Sequence, residues 1–125
     1  MRLLIDTHIF LWAMSGDTKL TTQARIVMTR ADVVFVSAVS IWEIAIKASL
    51  GKLDADVHKL ADQLTHAGFR ELPITPSHAT AVYDLPHHHG DPFDRMLVAQ
   101  AMTEPLHLLT ADENIWKYTN LAIKA

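Results

Sequence analysis

Cysteine is absent from the 125 residues. That absence excludes disulfides, thiolate nucleophiles and cysteine-ligated zinc together, and it fits a reducing, cytoplasmic setting. Long apolar runs are missing too. None approaches the roughly 20 residues that span a bilayer, so no membrane association is expected. The opening MRLLIDTHIFLWAM is apolar but broken by Asp6 and His8. It lacks a cleavage pattern and reads as mature structure rather than a signal peptide. No GxGxxG turn follows the first apolar run, which argues against a dinucleotide enzyme. Nor is the chain strongly basic. Its formal charge of −3 is not that of a protein gripping many phosphates through lysine and arginine. If Asp6, Glu43, Asp91, Asp94 and Asp112 share one metal site, however, the rest of the surface is mildly positive and tolerates nucleic acid.

What is present suits a single globular domain over residues 1–125. Half the residues are hydrophobic and a fifth are charged, enough for one core and too apolar for disorder. RLLID (2–6) reads as a buried strand, and THIFLWAM as a helical segment after it. LTTQARIVMTRA predicts a helix capped by Thr21 or Thr22. VVFVS (33–37) is a second buried strand, followed by a helix over SIWEIAIKASL that stops at Gly51. Residues 54–68 carry Val57, Leu60, Ala61 and Leu64 at helical spacing, which reads as core, with Gly68 as the stop. FRELPI is a third strand ended by Pro73. TPSHATAVYDL starts a helix with threonine at the cap and proline behind it. DPFDRMLVAQAMT is the next helix and LHLLT (106–110) the fourth strand. ADENIWKY is a short helix, and LAIKA suggests a small fifth strand. Alternating strands and helices predict an α/β fold with a mainly parallel, four- or five-stranded sheet.

In such a sheet, ligands bind beyond the carboxyl ends of the strands. Asp6 ends the first strand, Glu43 lies in the first turns of the helix after the second, and Asp112 follows the fourth. Those three meet at one edge if their strands are neighbours. Asp94 joins them if its helix starts there. Crowded carboxylates repel and raise one another's pKa, and a divalent cation relieves that repulsion. Oxygen donors suit Mg²⁺ or Mn²⁺ rather than zinc, and such an ion activates water against a phosphodiester. Each acid also has a structural reading. Ser40 to Glu43 matches a capping box. Asp91-Pro92-Phe93-Asp94 reads as the cap and first turn of a helix, and Asp112 suits a helix start. Asp6 is hardest to explain that way, because an acid directly behind a buried strand is costly unless partnered.

LLIDTHIFLW, VSAVSIWEIAIK, LPHHHGDPFDRMLVAQA and LLTADENI, in that order, resemble a PIN-domain ribonuclease, in particular the toxin of VapBC-type toxin–antitoxin pairs. The resemblance spans nearly the whole chain. It implies a PIN-like three-layer sandwich with strand order 3-2-1-4-5. It implies a Mg²⁺- or Mn²⁺-dependent endoribonuclease with RNA as substrate, an antitoxin protein as partner, and a homodimer. Position by position, it makes Asp6, Glu43, Asp94 and Asp112 the catalytic, metal-holding acids. Asp91 ranks as a helix cap with a supporting role behind them. Thr110 adds a hydroxyl to the site or orients a ligand, and Arg95 holds a substrate phosphate or stands in solvent.

The histidine run His87, His88 and His89 reads as a loop at the rim of the site, since adjacent histidines do not all face one ion. Trp12, Trp42 and Trp116 are candidates for base stacking but suit core or interface packing better, with Trp42 expected to turn inward. Two rival functions stand beside the nuclease. One is a phosphatase with Asp6 as nucleophile, although a second acid two residues on is missing. The other is a non-catalytic interaction module whose acids only cap helices.

Overall fold

A computed structural model describes residues 1–125. Its five strands are β1 (Arg2–Ile5), β2 (Val33–Ser37), β3 (Arg70–Leu72), β4 (His107–Thr110) and β5 (Ala122–Lys124). They form one sheet in the order β3-β2-β1-β4-β5, and every pairing is parallel. Seven helices connect them: α1 (Thr7–Ser15), α2 (Thr22–Arg30), α3 (Ala38–Ser49), α4 (Val57–Gln63), α5 (Pro76–Tyr83), α6 (Pro92–Thr103) and α7 (Glu113–Trp116). No helix is long and apolar enough to cross a membrane.

The central strand explains the layering. Successive strand residues face opposite sides, and β1 is apolar on both. Leu4 joins a core with Leu97, Val98 and Ala101 of α6 and Leu108 of β4. Leu3 and Ile5 join a second core with Ile9 and Phe10 of α1, Ala24 of α2 and Ile44 of α3. The sheet is thus covered on both faces, as parallel sheets require. Each fully buried leucine or isoleucine stabilises the fold by about 1.5–3 kcal/mol.

Several expected elements differ in detail. The helix after Gly51 is shorter than residues 54–68, because Asp56 caps it at Val57. Its apolar stripe faces the core as expected, with Leu64 buried in it and Val57 and Leu60 half-buried against it, while Ala61 is exposed. Helix α3 begins at Ala38 under a Ser37 cap rather than at Ser40. Ser40 and Glu43 therefore form no capping box, and both side chains are free for other partners. Thr21, not Thr22, caps α2. Trp42 is 58% exposed and does not turn into the core.

Candidate active site

The first acid is set by β1. Asp6 follows Ile5 directly, and its backbone N–H donates to Leu109 O at 3.2 Å, which ties it to the end of β4. Its side chain caps α1, with Oδ1 accepting from Ile9 N at 2.9 Å. Oδ2 accepts from the Thr110 hydroxyl at 2.6 Å. The residue is 4% exposed. Burial pushes its carboxyl up from the ordinary value, and the hydrogen bonds from Thr110 and Ile9 oppose that only in part.

Glu43 enters from α3. It sits one turn past the true helix start, and it is buried. Its Oε1 accepts from the Thr7 hydroxyl at 2.7 Å, and that hydroxyl also lies 2.9 Å from Ser40 Oγ. Its Oε2 accepts from the Lys47 ammonium one turn on, at 2.5 Å. That hydrogen bond raises the Lys47 pKa, helped by the nearby charges of Asp91 and Asp94.

Helix α6 contributes two aspartates with different tasks. Asp91 is the N-cap, its Oδ1 accepting from Phe93 N at 2.8 Å and Asp94 N at 3.2 Å. Asp94 lies in the first turn and caps nothing. Its carboxyl is pushed up to about 7, chiefly by desolvation and then by the charges of Asp91, Asp6 and Glu43. A carboxyl raised by burial and, after that, by three like charges marks the edge where the acids approach one another.

Asp112 arrives from β4. It caps α7 through Oδ1, which accepts from Asn114 N at 2.9 Å. Its own N–H donates to Thr110 Oγ1 at 3.0 Å. Thr110 is fully buried and couples two acids: its hydroxyl donates to Asp6 and accepts from the backbone of Asp112.

Two residues stand elsewhere than the sequence suggests. Arg95 is buried rather than solvated, and its guanidinium donates to the carbonyls of Pro86, Val82 and Leu85 and to the Tyr118 hydroxyl. It staples the loop before α6 and is not available to a phosphate. His89, by contrast, reaches into the site. Its Nε2 lies 2.9 Å from Asp94 Oδ2 and 3.1 Å from Asp112 Oδ2. Its Nδ1 faces the Asp91 N–H at 3.4 Å, which favours the tautomer with the proton on Nε2, donating to both carboxylates. The ligand atoms of His89, Asp94 and Asp112 lie within 4.8 Å of one another; Asp6 and Glu43 fall outside that triangle. Three adjacent histidines pointed to a rim loop and not to one member, because only the folded loop shows which ring turns inward.

The donor set fits a hard divalent cation. It joins carboxylate oxygens, whose mutual repulsion a dication removes, with the one imidazole nitrogen of His89, and it contains no thiolate.

The family model for the PIN domain matches residues 3–121. Ribonuclease VapC22 of Mycobacterium tuberculosis is 30% identical over 115 residues, covering 90% of this chain and 88% of that protein. Two solved structures share the fold. The first is VapBC2 from Rickettsia felis bound to a DNA fragment from its promoter. It has a TM-score of 0.72 at 12% identity, over 100% of this chain and 98% of that one. The second is FitAcB from Neisseria gonorrhoeae, with a TM-score of 0.69 at 16% identity, over 98% and 96%. A family model that matches residues 3–121 and a relative 30% identical over 90% of this chain carry the conclusion: the chain belongs to the PIN-domain family.

Proposed function

We propose that this protein is a metal-dependent endoribonuclease that hydrolyses RNA phosphodiester bonds. One observation carries the reading: Asp94 and Asp112 each turn a carboxylate oxygen to His89 Nε2, at 2.9 and 3.1 Å, and Thr110 ties Asp112 to Asp6 beside them. Asp6, Glu43, Asp94 and Asp112 would hold the ion, Mg²⁺ or Mn²⁺. A bound divalent ion supplies a Lewis acid for the phosphate and lowers the pKa of water. Thr110 fixes the rotamer of Asp6 and the start of α7. His89 draws Asp94 and Asp112 towards one point. Lys47, half-exposed beside Glu43, provides a positive charge at the mouth for a phosphate.

The relative's name, and the toxin–antitoxin complexes among the structural neighbours, support the role of toxin in a type II pair. That role brings an antitoxin protein as partner, a homodimer as the working form and the cytoplasm as its place. The whole chain acts as one PIN domain. The aspartyl-phosphatase reading gains no support, since Asp6 is followed by Thr7 and His8 with no acid two residues on.

The test is cleavage of a mixed RNA pool by wild-type and Asp94→Asn protein, each with Mg²⁺, with Mn²⁺ and with EDTA. Discrete products that need metal and vanish in the variant are expected. Equal metal-dependent cleavage by both proteins would remove Asp94 from the site. If neither ion raises the melting temperature and neither supports cleavage, the interaction-module reading replaces this one.

A further inference from the structure

Of the three tryptophans, Trp42 alone is exposed. Trp116 has its indole N–H on Thr110 O at 3.0 Å and Lys124 over its ring at 4.7 Å. Trp12 is half-buried and leans on His8. A lone exposed apolar side chain is ordinary and means nothing by itself. The position of this one is the second observation. Trp42 directly precedes Glu43 on α3, and it packs edge-on against Phe93, which directly precedes Asp94 on α6. The ring centroids are 5.3 Å apart and the planes meet at 77°. Edge-to-face contact of this kind holds an aromatic ring in place. The two rings therefore form a braced aromatic shelf, each one residue from a carboxylate of the site. Lys47 lies farther along the same helix, with its ammonium near the same carboxylates.

We propose that Trp42, braced by Phe93, stacks an unpaired nucleobase of the RNA next to the scissile phosphate. This rests on the nuclease reading above. A phosphate brought to the carboxylate edge carries a base on each side within a nucleotide's reach. Proteins that read single-stranded RNA capture such bases on aromatic faces. The occupant follows from place and size. Trp42 is tied to the first turn of α6 through Phe93, whereas Leu50 stands past the C-terminal end of α3. Tyr83 closes α5 between the carbonyls that hold Arg95 and is a second exposed ring at this end of α6. A single ring beside a reactive centre suits a base better than a protein partner, which calls for a contiguous apolar patch. The substrate class is thus single-stranded RNA, with purines favoured at the stacked position for their larger face.

The experiment uses the full chain and a short single-stranded RNA containing a cut position mapped on the mixed pool. The same RNA is also made with an abasic ribose on either side of the cut. We expect Trp42→Ala to lower kcat/KM by about tenfold or more, and Trp42→Phe to retain most activity. One abasic RNA should cost the wild type a similar factor and cost Trp42→Ala nothing further, because coupled losses do not add. Mn²⁺ affinity, melting temperature and gel-filtration volume should be the same in wild type and Trp42→Ala. Equal cleavage by wild type and Trp42→Ala overturns the inference and leaves the nuclease reading standing, as does a loss of the same size on intact and abasic RNA. A loss accompanied by a change in oligomeric state assigns the ring to a protein interface and also overturns it. Absence of metal-dependent cleavage by the wild type removes the nuclease reading itself, and the shelf with it.

Discussion

Helix α6 has a cluster of buried polar groups at each end. Near its C-terminus, His78 of α5 is buried, and its Nε2 lies 2.6 Å from Glu104 Oε2. Its Nδ1 accepts from Thr75 N at 3.1 Å, and Gln100 reaches Pro73 O with its amide at 3.3 Å. Donor faces acceptor almost throughout; Gln100 Oε1 is the one buried polar atom without a partner. Near its N-terminus, Asp94 faces Asp91, Asp6 and Glu43, and like charge meets like charge. Apart from that oxygen, the first cluster is satisfied within the chain and holds α5 on α6. The second leaves its like charges only partly offset, by His89 and Lys47. Burial alone does not distinguish structure from function, whereas the sign of the neighbours does.

Substitutions at the two ends should therefore act in opposite directions. The largest effect belongs to Asp6→Asn. Removing a ligand charge should lower metal-dependent RNA cleavage by roughly a thousandfold, the several kcal/mol of charge stabilisation that the ion provides. Circular dichroism should show an intact fold, since asparagine caps a helix about as well as aspartate. Next comes His78→Ala, which strands Glu104 and the Thr75 N–H. Urea denaturation should show a loss of about 1–3 kcal/mol, with metal affinity unchanged. A variant that lost metal binding instead would break the contrast between the two ends.

Thr110→Val should weaken Mn²⁺ binding by about tenfold in calorimetry, through the freed rotamer of Asp6, the range expected when a ligand's hydrogen-bond partner is lost. The smallest effect is also the sharpest in sign. A carboxyl whose folded pKa lies above its ordinary 3.8 holds its proton more tightly in the folded chain. The contribution of Asp94 to metal-free stability is therefore best below pH 4, falls as pH rises towards about 7, and stays low above that. Asp94→Asn should flatten this slope and, without metal at pH 8, raise stability by on the order of 1 kcal/mol, net of the lost helix-dipole attraction. Divalent ions should stabilise the wild type far more at pH 8 than at pH 5. A wild type whose metal-free melting temperature climbs from pH 5 to pH 8 as steeply as that of Asp94→Asn would contradict this account.

The elements were legible because their signals are local. A short apolar run marked β1 and a β-branched one marked β2, and Thr75-Pro76 and Asp91-Pro92 marked helix starts. The split between Asp91 as cap and Asp94 as uncommitted acid was also legible, since cap and first-turn positions follow from the Pro92 register. Other features depend on contacts that spacing does not encode. Ser40 to Glu43 has the spacing of a capping box, yet Ser37 caps the helix and leaves Glu43 to Thr7 and Lys47. Arg95 had the look of a phosphate contact, but carbonyls from the end of α5 and the loop after it surround it. His89 differs from His87 and His88 only in where the loop turns it. Trp42 follows an apolar residue and precedes an inward acid, so its exposure emerges only once α3 lies against α6.

Asp6 and Asp112 each divide their carboxylate in two. One oxygen begins a helix, while the other is turned to Thr110 or to His89. Asparagine keeps the helix-starting oxygen and discards the charge, and an aspartate codon becomes an asparagine codon by one nucleotide substitution. Loss of activity without loss of fold is thus among the shortest mutational steps open to this gene. A lineage that silences the enzyme this way would still produce a stable protein with its outer surfaces unchanged, able to occupy the partners of the active form. Populations carrying such a chain should accumulate Asp→Asn alleles at positions 6 and 112 ahead of truncations, because the folded product keeps its helix caps and gives up only the charge and the single hydrogen bond to Thr110 or His89.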